Sequence, residues 1–268
     1  MAGQFIKLSG VTAAATAGAP RIVVSAADAA AMRVPSLIHC VSASQLTGTA
    51  AGVSGRCRKS GKPLVPKGTA AALQLRTVAG HVGIGLSSAA SAGLALPAGS
   101  ATPSYTAVVT VQISAAEIAL ATPPVGILTT CTVADAASAT VLRYYGSAAT
   151  TNPDKLATFG SDTLLSGAAI VQRPAGDWIV AVVDFNDNTM QASIATNGGP
   201  FVTTQKSTHH TPGADGYFEI GYHLSASGLR GSMVGELYLF NDSLLKTPLG
   251  QAQLAAVIAG LKSDYGIA

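Results

Sequence analysis

From residue 71 to residue 240 the chain is a succession of short runs rich in Val, Ile, Leu, Thr and Tyr, each closed by a cluster of Gly, Pro, Asn or Asp. Runs this short are punctuated too often for helices, and their β-branched residues suit a pleated, half-buried surface. The pattern predicts a sandwich or barrel of antiparallel strands. Strands are expected near 71–78, 81–86, 92–96, 104–114, 125–133, 139–145, 168–173, 177–185, 189–196, 216–222 and 233–240. Asn186-Asp187-Asn188 joins two of them as a compact hairpin signal, and Asn197-Gly198-Gly199-Pro200 ends the second.

The period changes near the C-terminus. Thr247 followed by Pro248 fits an N-cap and a first helical residue. Leu254, Val257, Ile258, Leu261 and Tyr265 then form one apolar stripe, and Gly266 falls where a helix C-cap would. A helix over 248–265 laid across the sandwich is expected.

The front of the chain differs. Residues 1 to about 35 are Ala-rich, with an expected strand at Arg21-Ile22-Val23-Val24 and an expected helical turn within 25–32. Residues 48–70 read as a Gly/Lys/Pro-rich loop. The first 85 residues carry Lys7, Arg21, Arg33, Arg56, Arg58, Lys59, Lys62, Lys67 and Arg76 against Asp28 alone, within a chain whose net charge is only +3. The expected organisation is therefore a basic, irregular extension over 1–70 and a sandwich domain over 71–268. Its residues 1 to about 35 could be a docking arm or supply an edge strand to the main sheet. Arg56, Arg58, Lys59, Lys62 and Lys67 are its candidate attachment residues, with a solvated basic loop as the equal alternative. Charged residues make up only 11% of the chain, against about 25% in an average globular protein, which favours a subunit covered by its neighbours.

Met1 to Lys7 lack a charged start followed by an apolar stretch, so no signal peptide is expected. No apolar run long enough to span a bilayer occurs, so no membrane insertion is expected. Cys40, Cys57 and Cys131 lie at no metal-ligand spacing. One disulfide at most could form, Cys40 with Cys57, and reduced buried thiols are the simpler reading.

Several segments together resemble the concanavalin A-like lectin/glucanase superfamily, in particular its laminin-G-like branch. They are the strand opening at Trp178, the strand entering Asn197-Gly198, Tyr217-Phe218-Glu219-Ile220-Gly221-Tyr222, Gly231 to Asn241 with its Gly235-Glu236 step, and the terminal helix reaching Tyr265-Gly266. The resemblance covers about 165–268 and extends more weakly back to about 85. It implies an all-β fold, a jelly roll of two antiparallel sheets packed face to face, closed by a C-terminal helix. Ala/Gly/Thr-rich composition and low charge are similar to the tailed-phage members of that superfamily.

Residues at recognisable catalytic or ligand spacing are few. A retaining glycosidase needs two carboxylates about 5 Å apart, and the glucanase relatives supply them from one Glu-x-Asp-x-x-Glu run. The three glutamates, Glu117, Glu219 and Glu236, lie in no such run, and Glu236 alternates with apolar neighbours as a solvent-facing strand residue would. Asp184, Asn186, Asp187 and Asn188 form an oxygen-rich cluster that could hold calcium, although a hairpin turn wants the same residues for its backbone. His209 and His210, with His223, could suggest a transition-metal site, but adjacent residues of a strand point to opposite faces and could not both ligate one ion. A loop escapes that limit, yet no Cys or acidic partner lies at a recognisable spacing, and a polar loop is the better reading. Trp178, Tyr144, Tyr145 and Tyr222 are the rings that could stack on sugars, with core packing the alternative for Trp178. Phosphate loops are absent, and no aromatic lies between Phe5 and Tyr105 to accompany the basic segment, so nucleic acid is not an expected partner.

The leading expectation from this reading is a non-enzymatic structural protein of a virus particle, capsid-decorating or tail-associated. It would bind other virion proteins and copies of itself, without a cofactor beyond a calcium ion at the Asp/Asn turn. The alternatives are a carbohydrate-binding module for host surface glycans and, more weakly, a glycoside hydrolase.

Overall fold

The computed structural model describes residues 25–120, 124–133, 137–160, 167–226 and 228–268. In chain order the strands are β1 (Leu37–Ser42), β2 (Thr47–Thr49), β3 (Gly52–Ser54), β4 (Val65–Gly68), β5 (Leu73–Val78), β6 (His81–Leu86), β7 (Ala92–Ala95), β8 (Tyr105–Gln112) and β9 (Val125–Val133). They continue as β10 (Ala137–Tyr145), β11 (Lys155–Thr158), β12 (Ala169–Gln172), β13 (Trp178–Asn186), β14 (Gln191–Thr196), β15 (Val202–Gln205), β16 (Tyr217–Gly221) and β17 (Met233–Phe240). The α-helices are α1 (Ala26–Ala31), α2 (Ala115–Ala119) and α3 (Pro248–Tyr265).

Two antiparallel sheets make the sandwich. One runs β15-β14-β13-β8-β17-β6-β5, with β1 also paired to β17; the other runs β12-β11-β10-β9-β16-β7-β4. Each of the eleven expected strands has a counterpart, so the all-β sandwich is the fold, and α3 has the expected span. Thr247 caps α3 by accepting from the Gly250 N–H, and Gly266 takes the left-handed conformation at its end (φ 62°).

The eight-stranded sheet is covered on both faces. Its inner face packs Tyr105, Val109, Ile179, Phe185 and Leu237 against Phe218, Leu142 and Ile127 of the other sheet. Its outer face packs Val108, Val180, Val182, Tyr238 and Phe240 against Leu254, Val257 and Leu261 of α3 and Ala27 and Ala31 of α1. β8 is accordingly buried at all eight positions, and polar residues on its outer face are hydrogen-bonded there: Thr106 Oγ1 donates to Asp184 Oδ1 and Thr110 Oγ1 accepts from the Glu236 N–H.

The irregular extension expected over 1–70 is corrected for residues 25–70. β1 is hydrogen-bonded along β17 from Leu37↔Phe240 to Ser42↔Glu236, because β6 pairs with β17 only at Val234↔Ile84 and leaves the rest of that edge open. β4 pairs with β7 in the second sheet. Residues 25–70 are thus continuous with the sandwich rather than an arm outside it. Residues 1–24, including the strand expected at Arg21–Val24, lie outside the described residues.

The helical turn expected near 25–32 is α1, and it lies close against α3. A Cβ on Gly260 would stand 2.4 Å from Ala27 N, 2.6 Å from Ala27 Cα and 2.8 Å from the Ala26 carbonyl carbon. In an ordinary helix interior Gly→Ala gains about 1 kcal/mol of propensity. Here Gly260→Ala is expected to have the opposite sign, destabilising by about 1–3 kcal/mol through overpacking against backbone. Urea denaturation decides the sign, and a stabilised variant would refute the close approach.

Candidate functional site

The chemistry concentrates on the outer face of the eight-stranded sheet, where β1, β6 and β17 meet the ends of α1 and α3. A pocket of about 290 Å³ lies there, lined by Ser25, Asp28, Ser42, Ser44, Gln45, Arg58, Gly80, His81, Val82, Glu236, Asp264 and Tyr265. Three carboxylates, a guanidinium and an imidazole share this small volume.

A β-bulge delivers its key residue. Against β8, Val234 pairs with Val111 and Leu237 with Val109, so Gly235 and Glu236 together oppose Thr110. A bulge of this kind re-aims a side chain out of strict alternation. The Glu236 N–H donates to Thr110 Oγ1 at 2.8 Å. Gly235 is required beside it, since a Cβ there would meet Tyr265 Oη at 2.2 Å and Thr110 Oγ1 at 2.7 Å. The Gly-Glu step that marked the strand in the sequence is therefore the device that turns Glu236 into the pocket.

Glu236 Oε1 accepts a hydrogen bond from Ser42 Oγ at 2.5 Å, while Oε2 is buried without a hydrogen-bond partner. Burial raises its carboxyl to about 7, helped by the Asp28 charge and only partly offset by Ser42 and Arg58. Asp28 is perturbed in the opposite direction. Burial would push it up, but Arg58 and Tyr238 overcome that and hold it below its ordinary value. Arg58 donates to both oxygens of Asp28, at 2.8 and 2.5 Å, and Tyr238 Oη donates to Oδ1 at 2.8 Å. Asp28 is thus a saturated anion, whereas Glu236 is an acid near neutrality with one oxygen unused. Two carboxyl groups whose environments drive them apart in this way can play different parts in one site.

Aromatic rings form the wall. His81 stacks on Tyr265 with centroids 4.2 Å apart and planes at 20°, and Trp178 meets Tyr265 edge-on at 5.2 Å. Trp178 Nε1 donates to the Val78 carbonyl at 3.0 Å. Gly83 makes room for the indole, because a Cβ there would lie 2.9 Å from it. Beyond these rings lies a second pocket of about 530 Å³, lined by Asp177, Trp178, Asn197, Tyr265 and the residues after α3, among others.

The candidate residues named from sequence are dispersed. Trp178 is buried and belongs to the ring cluster. Tyr144 is buried on β10, donating from Oη to Asp154 Oδ1 at 2.7 Å. Tyr145 and Tyr222 are half-buried and line neither pocket described above. Of the basic residues, Arg56, Lys59 and Lys62 are exposed, but Arg58 is committed to Asp28. Lys67 lies over the Tyr217 ring, its Nζ 5.3 Å from the centroid.

The Asp/Asn turn does not converge on a point. Asp184 is buried and accepts from Thr106 Oγ1 at 2.5 Å and Ser243 Oγ at 2.8 Å. Burial outweighs those hydrogen bonds and raises its carboxyl to about 6. Asp187 turns the other way, accepting from the His210 N–H at 2.8 Å and facing His209 Nδ1 at 3.0 Å. Asn186 is half-buried and Asn188 exposed. Hydroxyls hold one carboxylate and a loop holds the other, which accounts for both without calcium. His209 and His210 are in a loop, the reading preferred for them from the sequence. Cys40, Cys57 and Cys131 are buried and form no disulfide.

Sequence reasoning passed over Glu236, Asp28, His81, Asp264 and Tyr265 as site residues. The Gly-Glu step was the one visible signal, and its bulge cannot be seen without the partner strands.

No protein-family model and no curated protein matches the chain. Solved structures match its fold. Trypanosoma rangeli sialidase in complex with the inhibitor DANA aligns with a TM-score of 0.53 and 14% identity, over 83% of this chain and 32% of the sialidase. Domain 4 of AbnA, a GH43 extracellular arabinanase from Geobacillus stearothermophilus, in complex with arabinotriose, aligns with a TM-score of 0.55 and 13% identity. That match covers 82% of this chain and 98% of the domain. The chain therefore spans about a third of the sialidase and nearly all of the arabinanase domain. At such identities the likeness is one of fold. The expectation of a non-enzymatic virus-particle protein is nevertheless corrected, because these two fold matches come from a sialidase and an arabinanase.

Proposed function

We propose that the chain is a carbohydrate-binding sandwich of the concanavalin A-like type, and that the pocket beside Tyr265 receives a sugar unit. The observation that carries this reading is Glu236 Oε2, a buried oxygen with no hydrogen-bond partner inside a polar pocket. A buried polar atom left unpaired costs free energy that a ligand hydroxyl would recover. Ser44 and Gln45 are exposed at the same pocket and offer further donors and acceptors. The stacked His81 and Tyr265 rings give an apolar edge of the kind sugar rings pack against. Support also comes from the arabinanase domain of the same fold, whose structure was obtained with arabinotriose.

Arabinotriose is the first probe, followed by a glycan array. Titration calorimetry is expected to show saturable binding of at least one glycan, weakened about tenfold or more in Glu236→Ala, the equivalent of about 1.4 kcal/mol or more. Unchanged affinity in that variant would remove the pocket from the proposal, and silence across the array would remove the function.

Glycoside hydrolysis is the second reading, favoured by a protonated Glu236 held near neutrality beside an ionised Asp28. Such an acid can protonate a leaving-group oxygen. Asp28 is saturated, so Asp264, which lines the same pocket, would have to act as the second carboxylate. Release of reducing sugar from a bound oligosaccharide, abolished in Glu236→Gln, would establish it.

A further inference from the structure

The outer face of the seven-stranded sheet carries a separate cluster that the pocket does not use. β9 and β16 set Cys131 opposite Tyr217, and Glu219 lies two residues further along β16 opposite Thr129. The chain then turns back so that the His223 N–H donates to Glu219 Oε1 at 2.7 Å, with His223 Nδ1 2.6 Å from Oε2. One donor atom from each of Cys131, Glu219 and His223 lies within 4.8 Å of the other two. Cys131 and Glu219 are wholly buried, and the His223 side chain is 8% exposed. The neighbouring backbone is cut away for the glutamate: a Cβ on Gly93 would lie 1.6 Å from Glu219 Oε1.

We propose that Cys131, Glu219 and His223 form a binding site for one transition-metal dication of the zinc class. A thiolate, an imidazole and a carboxylate together make the donor set of zinc and its neighbours, whereas calcium and magnesium want oxygen alone. In a tetrahedral site with bonds of about 2.0–2.3 Å, ligand atoms stand roughly 3.3–3.8 Å apart. His223 Nδ1 and Glu219 Oε2, now 2.6 Å apart, must therefore open while Cys131 Sγ draws in, rotations on the order of 1 Å. On binding, the thiol proton leaves to solvent and the imidazole proton moves from Nδ1 to Nε2, freeing Sγ, Nδ1 and a carboxylate oxygen for three metal bonds. Lys67 reaches the same face, so a fixed positive charge stands near the Glu219 carboxyl before the ion arrives, and the second negative ligand, the Cys131 thiolate, forms only on binding. The fourth position is left to water or to an incoming group.

Cobalt(II) is the probe, added to the reduced, chelator-treated full chain. One equivalent is expected to bind with a thiolate-to-cobalt charge-transfer absorption that zinc abolishes. Cys131→Ser should remove that band, and His223→Gln should weaken affinity by about 10- to 100-fold. Cys57→Ser should leave the band intact; Cys57 faces His39 Nδ1 at 3.2 Å and is the competing thiol–imidazole pair. A wild-type chain with no band, or a band that survives Cys131→Ser, overturns the site. Should Cys131→Ser fail to give the wild-type circular dichroism spectrum, unchanged cobalt affinity in His223→Gln overturns it instead.

Discussion

Replacing Arg58 with methionine is expected to cost the fold about 3–5 kcal/mol, because it strands a buried carboxylate. Asp28 is only 4% exposed, and Arg58 supplies both of the hydrogen bonds that reach it from a cation. After the substitution Tyr238 and Ser25 remain to support the charge, and burial then dominates. Asp28 should take up a proton at a higher pH than before. The double variant Asp28→Leu/Arg58→Met isolates the cause, since replacing a buried pair by apolar groups is often neutral or stabilising. It should recover most of the loss in denaturant titrations. If the single variant unfolds at the wild-type midpoint, the pair contributes nothing and Asp28 is not the anchor of the pocket.

Stability is expected to fall by about 2–3 kcal/mol as pH rises from about 4.5 to about 6, the reverse of ordinary acid denaturation. Glu236 is held at about 7 and Asp184 at about 6, both raised by burial. In that window the folded chain keeps protons that the unfolded chain has released. Stability present below the unfolded values is therefore lost as pH climbs through the folded ones. Asp28, held below its ordinary value, has the opposite sign and acts only at lower pH. Cys57 also opposes the trend, but only above about 6, the value to which its His39 and Ser60 hydrogen bonds lower it against burial. The optimum should therefore be mildly acidic. Melting temperatures across the window test this, and Glu236→Gln should flatten the slope by roughly half. A wild-type chain that gains stability between these two pH values would show that neither acid is buried as described.

How much of this was legible depends on which residues carried the information. β6, β9 and β17 were recovered with their observed bounds because their apolar and β-branched residues are bracketed by turns. α3 was recovered because Thr247-Pro248 and Gly266 mark both of its ends. β4 was missed because Val65-Pro66-Lys67-Gly68 is short and carries two residues that weaken strands. β1 was missed because its place in the sheet is set by an edge of β17 about 200 residues away, which no local pattern encodes.

The pocket was illegible for the same kind of reason. Arg58 looks like one more base in a solvated run until Asp28 is brought beside it. Glu236 looks solvent-facing because alternation assumes an unbroken ladder, and the bulge opposite Thr110 breaks it. Glu219 and His223, four residues apart, were each noticed, but Cys131 joins them only through the pairing of β9 with β16. Tertiary charge pairing and strand pairing, rather than composition, decide these roles.

The pocket is assembled from both ends of the described chain. Asp28 and Arg58 come from its first elements, Glu236 from its last strand, and Asp264 and Tyr265 from the final turn of α3, where Asp264 Oδ2 also accepts from the Ala27 N–H at 3.4 Å. Backbone cleavage anywhere between Arg58 and Glu236 would therefore leave the parts of this one cleft on separate fragments, held together by packing alone.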